Sequence, residues 1–208
     1  MPDDGERPAG DGETPATDGR DPDPAAAGGY DLPEPAWPVL ESAVEYDTGW
    51  YAGGYDLVEQ PDGSTKRYYW AAMRSAVVVV AVEDGRVLFV EGYRPTIRRT
   101  QLELPAGVVE PGESGSEAGA RELREETGFD PAGVSSLASV WVATGVMRHR
   151  RHYVFAEGLT PVEASLDDDE FLSVRALPVP EAFERARAEH TNGATLQGLQ
   201  LARDADLL

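Results

Sequence analysis

Glu122, Glu125 and Glu126 stand at i, i+3 and i+4 in the run REL-REE that begins at Arg121. On a helix that spacing puts all three carboxylates on one face, where like charges repel and cost stability unless a cation sits among them. A hard, oxygen-seeking ion such as Mg2+ or Mn2+ would supply that charge and bridge to substrate phosphates. Arg121, one turn before Glu125, can orient a carboxylate through its fork-shaped, charge-assisted donors. Taken alone, REL-REE reads as a solvated acidic face, since charge runs usually are. The offsets around it favour chemistry: Gly107 is followed after five residues by Glu113, and after seven more by Arg121-Glu122. Gly128 and Phe129 close the stretch. Fixed spacing across so many specified positions is far more informative than a lone glycine motif.

The elements that must hold these carboxylates are legible around them. Ser114 and Glu117 have the spacing of a capping box, and Gly128 sits where a helix needs a left-handed terminator. Between them the residues are good helix formers, with Gly119 the exception. Upstream, Ser75 to Val82 (SAVVVVAV) reads as a buried strand, Glu83-Asp84-Gly85 as a turn, and Arg86 to Val90 as the partner strand. Gln101 to Leu104 is a short strand leading into the acidic stretch. Leu137 to Ala143, His152 to Ala156 and Phe171 to Ala176 are further strands, and Glu181 to Glu189 and Ala194 to Arg203 are helices. From Val44 to Trp70 the pattern is aromatic and strand-like around the turn Gln60 to Ser64, as in a β-hairpin. Strands around one central helix with a terminal helix pair define an α+β, layered α/β/α domain.

Composition bounds the rest. The 208 residues suffice for one moderate domain with appendages, and 41% hydrophobic content supports a core. There is no cysteine, so disulfides, zinc–thiolate sites and cysteine nucleophiles are excluded. No apolar run reaches membrane-spanning length and the N-terminus lacks a signal-peptide pattern, so a soluble cytoplasmic protein is expected. The formal charge is −20, and Lys66 is the sole lysine. Such acidity favours solubility at the cost of self-repulsion, a balance shifted by high salt; the composition resembles that of haloarchaeal proteins. Non-specific nucleic-acid binding, which depends on basic side chains, is not expected. Residues 1–36 are rich in Asp, Gly, Pro and Ala without periodicity and read as a disordered acidic tail. Residues 37–74 form an N-terminal strand region, and 75–208 the main domain.

From Gly107 to Phe129 every fixed position of the Nudix box (G-x5-E-x7-R-E-U-x-E-E-x-G-U, U a large apolar residue) is filled, and the chain resembles the Nudix hydrolases. The resemblance runs from about residue 44 to the C-terminus. It implies a Nudix α/β/α sandwich with mixed β-sheets around the box helix, preceded by the hairpin region. It also implies hydrolysis of a nucleoside diphosphate derivative. The pairing of Tyr93-Arg94-Pro95 with Glu103-Leu104-Pro105-Ala106-Gly107 is similar to the ADP-ribose pyrophosphatase branch, which would release AMP and ribose 5-phosphate. One departure is Thr144-Gly145, where that branch usually has Pro-Gly. Another nucleotide sugar, NADH or a dinucleoside polyphosphate is the alternative substrate, and a non-catalytic ADP-ribose sensor a more remote one.

The resemblance assigns roles residue by residue. Glu122, Glu126 and the carbonyl of Ala106 would be ligands of Mg2+ or Mn2+, with Glu125 assisting through metal or water. Glu113 and Arg121 would orient the site. Arg94 would contact the substrate diphosphate, unless it only forms a surface ion pair, and Glu103 belongs to the same substrate-facing segment. Trp50 and Tyr51 are candidates to stack on adenine across a homodimer, although aromatics are common in strands anyway. From its charge alone, Arg148 heads a basic cluster, Arg148-His149-Arg150-Arg151-His152, that would hold phosphate or ribose oxygens or, equally, form ion pairs with the acidic surface. The general base would come from the loop Glu163 to Glu170, with Glu170 the best positional match and Asp167, Asp168 and Asp169 as rivals.

Overall fold

The computed structural model describes residues 32–165, 171–188 and 191–208. Along the chain run β1 (Val39–Asp47), β2 (Tyr51–Glu59), β3 (Thr65–Met73), β4 (Ala76–Glu83), β5 (Arg86–Arg94), β6 (Arg99–Glu103) and β7 (Ala106–Val108). Then follow α1 (Gly115–Thr127), β8 (Phe129–Trp141), β9 (Met147–Arg148), β10 (Arg150–Pro161), β11 (Leu172–Pro178), α2 (Val179–Ala186) and α3 (Gly193–Asp204).

The valine run explains the layering. Every residue from Val77 to Ala81 is buried, which requires cover on both faces of β4, because successive strand side chains point to opposite sides. Val77, Val79 and Ala81 pack with Ala118 and Leu123 of α1. Val78 and Val80 pack with Phe183 of α2 and Leu199 of α3. The large mixed sheet, in the order β11-β5-β4-β10-β8 with β6 on β5 and β7 on β4, is thus the middle of an α/β/α sandwich. Strand β10 runs parallel to β4 and β5 antiparallel to it. Gly119, poor for the helix, has a packing reason: a Cβ there would meet Val154 Cγ2 at 2.7 Å, so its absence lets α1 lie close on the sheet.

The N-terminal region is larger than the expected hairpin. The turn is where the sequence puts it, with Gln60 N donating to Ser64 O at 2.7 Å. However, β1 adds a third antiparallel strand on the outer side of β2. It is exposed along nearly its whole length, so no buried–exposed alternation announces it. The two-residue β9 joins β3 in parallel, Ala71 opposite Met147 and Ala72 opposite Arg148. Elsewhere β8 begins directly after the box helix at Phe129 rather than at Leu137, and α2 starts at Val179, with proline in its first turn.

Candidate active site

The box helix carries its expected caps. Ser114 Oγ accepts from Glu117 N at 3.2 Å while the Glu117 carboxylate accepts from Ser114 N at 2.8 Å, and Gly128 closes the helix at φ 72°. On this framed helix Glu122 and Glu126 are buried, at 8% and 3% exposure, and Glu125 is more open.

Arg121 is the hub. Its Nε and Nη2 donate to the two oxygens of Glu113, both at 3.0 Å, and Nη2 also donates to the Val108 carbonyl at 2.8 Å. Its Nη1 donates to Glu122 Oε1 at 2.8 Å and to Glu125 Oε2 at 3.0 Å. The paired Glu113 carboxylate, followed by Glu122, raises the guanidinium pKa above its ordinary value against the lowering effect of burial. Glu113 is itself anchored by the backbone N–H of Glu110 at 3.0 Å. One guanidinium therefore faces three carboxylates, with Glu126 beside them.

Glu126 Oε2 accepts from Ala106 N at 3.0 Å. A Cβ on Gly107 would fall 2.0 Å from the Glu122 carboxyl carbon. Strand β7 thus lies directly against both buried glutamates, and its pairing with β4, Gly107 opposite Val77, leaves it little room to retreat. Gly107→Ala is expected to displace Glu122 and cut turnover by roughly 100-fold, as misplacement by an ångström does. Steady-state kinetics and thermal melting would check this; unchanged kinetics would contradict the placement.

Among the described residues no three His, Asp or Glu side chains are grouped as a ready metal cage; Arg121 holds Glu113, Glu122 and Glu125. The donor set nevertheless fits a hard divalent cation. It is all oxygen, two of its carboxylates are buried, and its negative charge exceeds the one guanidinium available. Glu122, Glu126 and the adjoining Ala106 carbonyl could hold such an ion, with Glu125 close by on the same helix.

The other sequence candidates fall into separate clusters. Arg94 donates from Nε to Glu103 Oε2 at 2.6 Å, and the second oxygen of buried Glu103 accepts from Asn192 Nδ2 at 2.5 Å. Trp50 lies at the β1–β2 turn, 60% exposed, with the Arg74 guanidinium 5.6 Å from its ring centroid. Arg74 also bridges to Glu110 of the box loop at 3.1 Å, connecting that turn to the acidic site. Tyr51 packs against Tyr46, ring centroids 5.7 Å apart. Sequence reasoning missed Arg74, Glu110 and Asn192. Only Glu110, three residues before Glu113, carried a local signal.

Of the two roles open to Arg148, the structure shows an ion pair. Its guanidinium lies 4.1 Å from the Trp70 ring centroid and pairs with Asp56 at 2.5 Å. Asp56 also accepts from Trp70 Nε1 and Ser42 Oγ. Both the charge and the flat face of Arg148 are spent inside the N-terminal sheet, clasping β9 to β2 and β3, and burial lowers its pKa. Arg148→Ala is expected to cost about 2–3 kcal/mol, since it leaves Asp56 half-buried without its cation. Urea denaturation would measure it; a loss confined to substrate affinity, with full stability, would contradict this role. Glu170 and Asp167 to Asp169 lie outside the described residues. The start of their loop is tied to the box helix, with Val162 N donating to Gly128 O at 2.8 Å and Ser165 N to Glu125 O at 3.2 Å.

Residues 72–198 match the NUDIX domain family, and the chain belongs to that family. It is 34% identical over 132 residues to a methanol dehydrogenase activator of Bacillus methanolicus, covering 62% of this chain and 71% of that protein. It is 31% identical over 151 residues to an ADP-ribose pyrophosphatase of Bacillus subtilis, covering 69% and 82% respectively. A solved ADP compounds hydrolase shares the fold at a TM-score of 0.75 and 22% identity, over 81% of this chain and 93% of that one. No helix among the described residues is long and apolar enough to cross a membrane.

Proposed function

We propose that the protein is a divalent-metal-dependent pyrophosphatase that hydrolyses ADP-ribose to AMP and ribose 5-phosphate. The observation that carries this reading is the surplus of buried carboxylate on α1, Glu122 and Glu126 packed against Ala106 and Gly107, in a Nudix chain similar to an ADP-ribose pyrophosphatase. Mg2+ or Mn2+, when bound, supplies positive charge to the diphosphate oxygens and lowers the pKa of water. Glu122, Glu126 and the Ala106 carbonyl hold that ion, and Glu125 assists. Arg121, kept protonated by its carboxylate neighbours, fixes Glu122 and Glu125, while Glu113 braces Arg121 from the box loop. Arg94 turns from Glu103 toward the substrate diphosphate, and Trp50 and Tyr51 offer ring faces to adenine. Water adds to one phosphorus, the P–O–P bridge breaks, and Glu170 takes the water's proton. Retained turnover in Glu170→Gln would reassign that base to a neighbouring aspartate.

The exposed aromatics of the N-terminal sheet, Tyr46, Trp50 and Tyr69 among them, support a homodimer in which this sheet meets a second copy. The charge of −20 with one lysine supports a cytoplasmic enzyme of a halophilic archaeon; equal stability in dilute buffer and molar KCl would count against that origin. The substrate is tested by AMP release from ADP-ribose, set against NADH, a nucleotide sugar and a diadenosine polyphosphate. Preference for ADP-ribose is expected, and no AMP from it would overturn the assignment. A sensor without turnover is disfavoured because all box glutamates are retained.

A further inference from the structure

Asn192 is the N-cap of α3, and its side chain faces two ways. Its Oδ1 accepts from Ala194 N at 2.7 Å, as a capping residue does, while its Nδ2 donates to Glu103 Oε1 at 2.5 Å. The second bond is not needed to start the helix, since serine or aspartate caps equally well. It reaches instead to the carboxylate that holds Arg94.

The grip on Arg94 takes its form from that bond. Arg94 Nε and Nη2 both lie on a single oxygen of Glu103, Oε2, at 2.6 and 2.5 Å. Arginine and carboxylate otherwise favour a fork on a fork, each donor on its own oxygen. Here Oε1 is turned to Asn192, and the two-oxygen fork does not form. The Glu103 side chain is 9% exposed and that of Arg94 43%. The carboxylate is therefore the fixed partner and the guanidinium, on its long stem, the movable one.

Asn192 stands on a firm platform. Ala194 and Thr195 of the first turn are buried, and Leu199 one turn further packs with Val78 and Val80 of β4. Thr195 Oγ1 accepts from Leu104 N at 3.1 Å. The first turn of α3 thus holds both Glu103 and Leu104, consecutive residues that lead directly to Ala106 beside the box carboxylates.

We propose that Asn192 is a positioning residue for substrate binding: by occupying one oxygen of Glu103, it leaves Arg94 able to turn to the diphosphate. This rests on the reading of Arg94 as a diphosphate contact. Without the Asn192 amide, Glu103 closes on Arg94 with both oxygens, and substrate has to break a stronger pair.

The test is a double-mutant cycle of Asn192→Ser and Arg94→Gln, with KM and kcat measured in Mg2+ on ADP-ribose, NADH, a nucleotide sugar and a diadenosine polyphosphate. Serine keeps the cap but is one bond too short for Glu103, and glutamine at position 94 keeps a donor for it. Asn192→Ser alone is expected to raise KM by roughly tenfold, the scale of one charge-assisted hydrogen bond, with kcat little changed. Asn192→Asp, which also caps α3 but repels Glu103 toward Arg94, should raise it at least as much. In the Arg94→Gln background, Asn192→Ser should change KM by no more than about twofold. Wild-type KM in both Asn192 variants, or an equal rise in both backgrounds, would overturn the proposal. The Arg94 Nε–H signal in 1H–15N spectra, identified by its loss in Arg94→Gln, should move in Asn192→Ser, and an unmoved signal would also overturn it. A wild type that cleaves none of the four compounds overturns the pyrophosphatase reading instead, while the signal still decides whether Asn192 sets the Arg94 pair.

Discussion

Glu126→Gln is expected to lower turnover by about 10²–10³-fold or more while leaving the protein folded, on the scale of losing one preorganised electrostatic group at a reaction centre. The substitution keeps the side chain's volume, and its amide oxygen can still accept from Ala106 N. What it removes is a negative charge from a buried position against β7, where a cation would be held. The loss should appear in kcat and kcat/KM together, as it does when an interaction matters chiefly in the transition state. Glu125→Gln, at the more open position, should cost less. Kinetics on ADP-ribose with saturating Mg2+ check both. Near-wild-type turnover in Glu126→Gln would remove this carboxylate from the chemistry.

The second large effect falls on stability. Arg121→Ala should destabilise the fold by about 3 kcal/mol, because it leaves Glu113, Glu122 and Glu125 with no guanidinium between them. Arg121→Lys should recover only part, since an ammonium cannot reproduce the fork that engages three carboxylates and the Val108 carbonyl. A divalent cation should offset the loss. An ion that binds only the folded state adds about 2.7 kcal/mol at a hundred times its Kd, and Arg121→Ala should gain at least as much as wild type. Chemical denaturation with and without Mg2+ measures each quantity. Equal stability of wild type and Arg121→Ala in EDTA would show that the hub does not hold the site together.

These two expectations rest on parts of the molecule that were unequally legible in the sequence. The caps at Ser114, Glu117 and Gly128 are local, so residue type and spacing suffice for them. The valine run marks a buried strand, and burial of successive residues needs cover on both faces. The helix period makes Arg121 a partner of Glu125 one turn away. Its bonds to Glu113 and Val108 depend on how the box loop folds back, and spacing does not encode that. Arg148 shows the sharper limit. Its partner Asp56 lies 92 residues away, joined to it through a two-residue strand too short to leave a pattern. A basic cluster in an acidic chain suits phosphate and ion pairing equally, and spacing does not say that its first arginine pairs with Asp56 against Trp70.

The central claim is that the carboxylates of α1 form a divalent-cation site that serves diphosphate hydrolysis. Electron paramagnetic resonance titration with Mn2+ tests it most directly, comparing wild type with Glu126→Gln and Glu122→Gln. Wild type should take up Mn2+ at a defined stoichiometry, and both variants should lose most of that binding in parallel with AMP release. Mn2+ uptake undiminished in both variants, or AMP release that persists in EDTA, would contradict it.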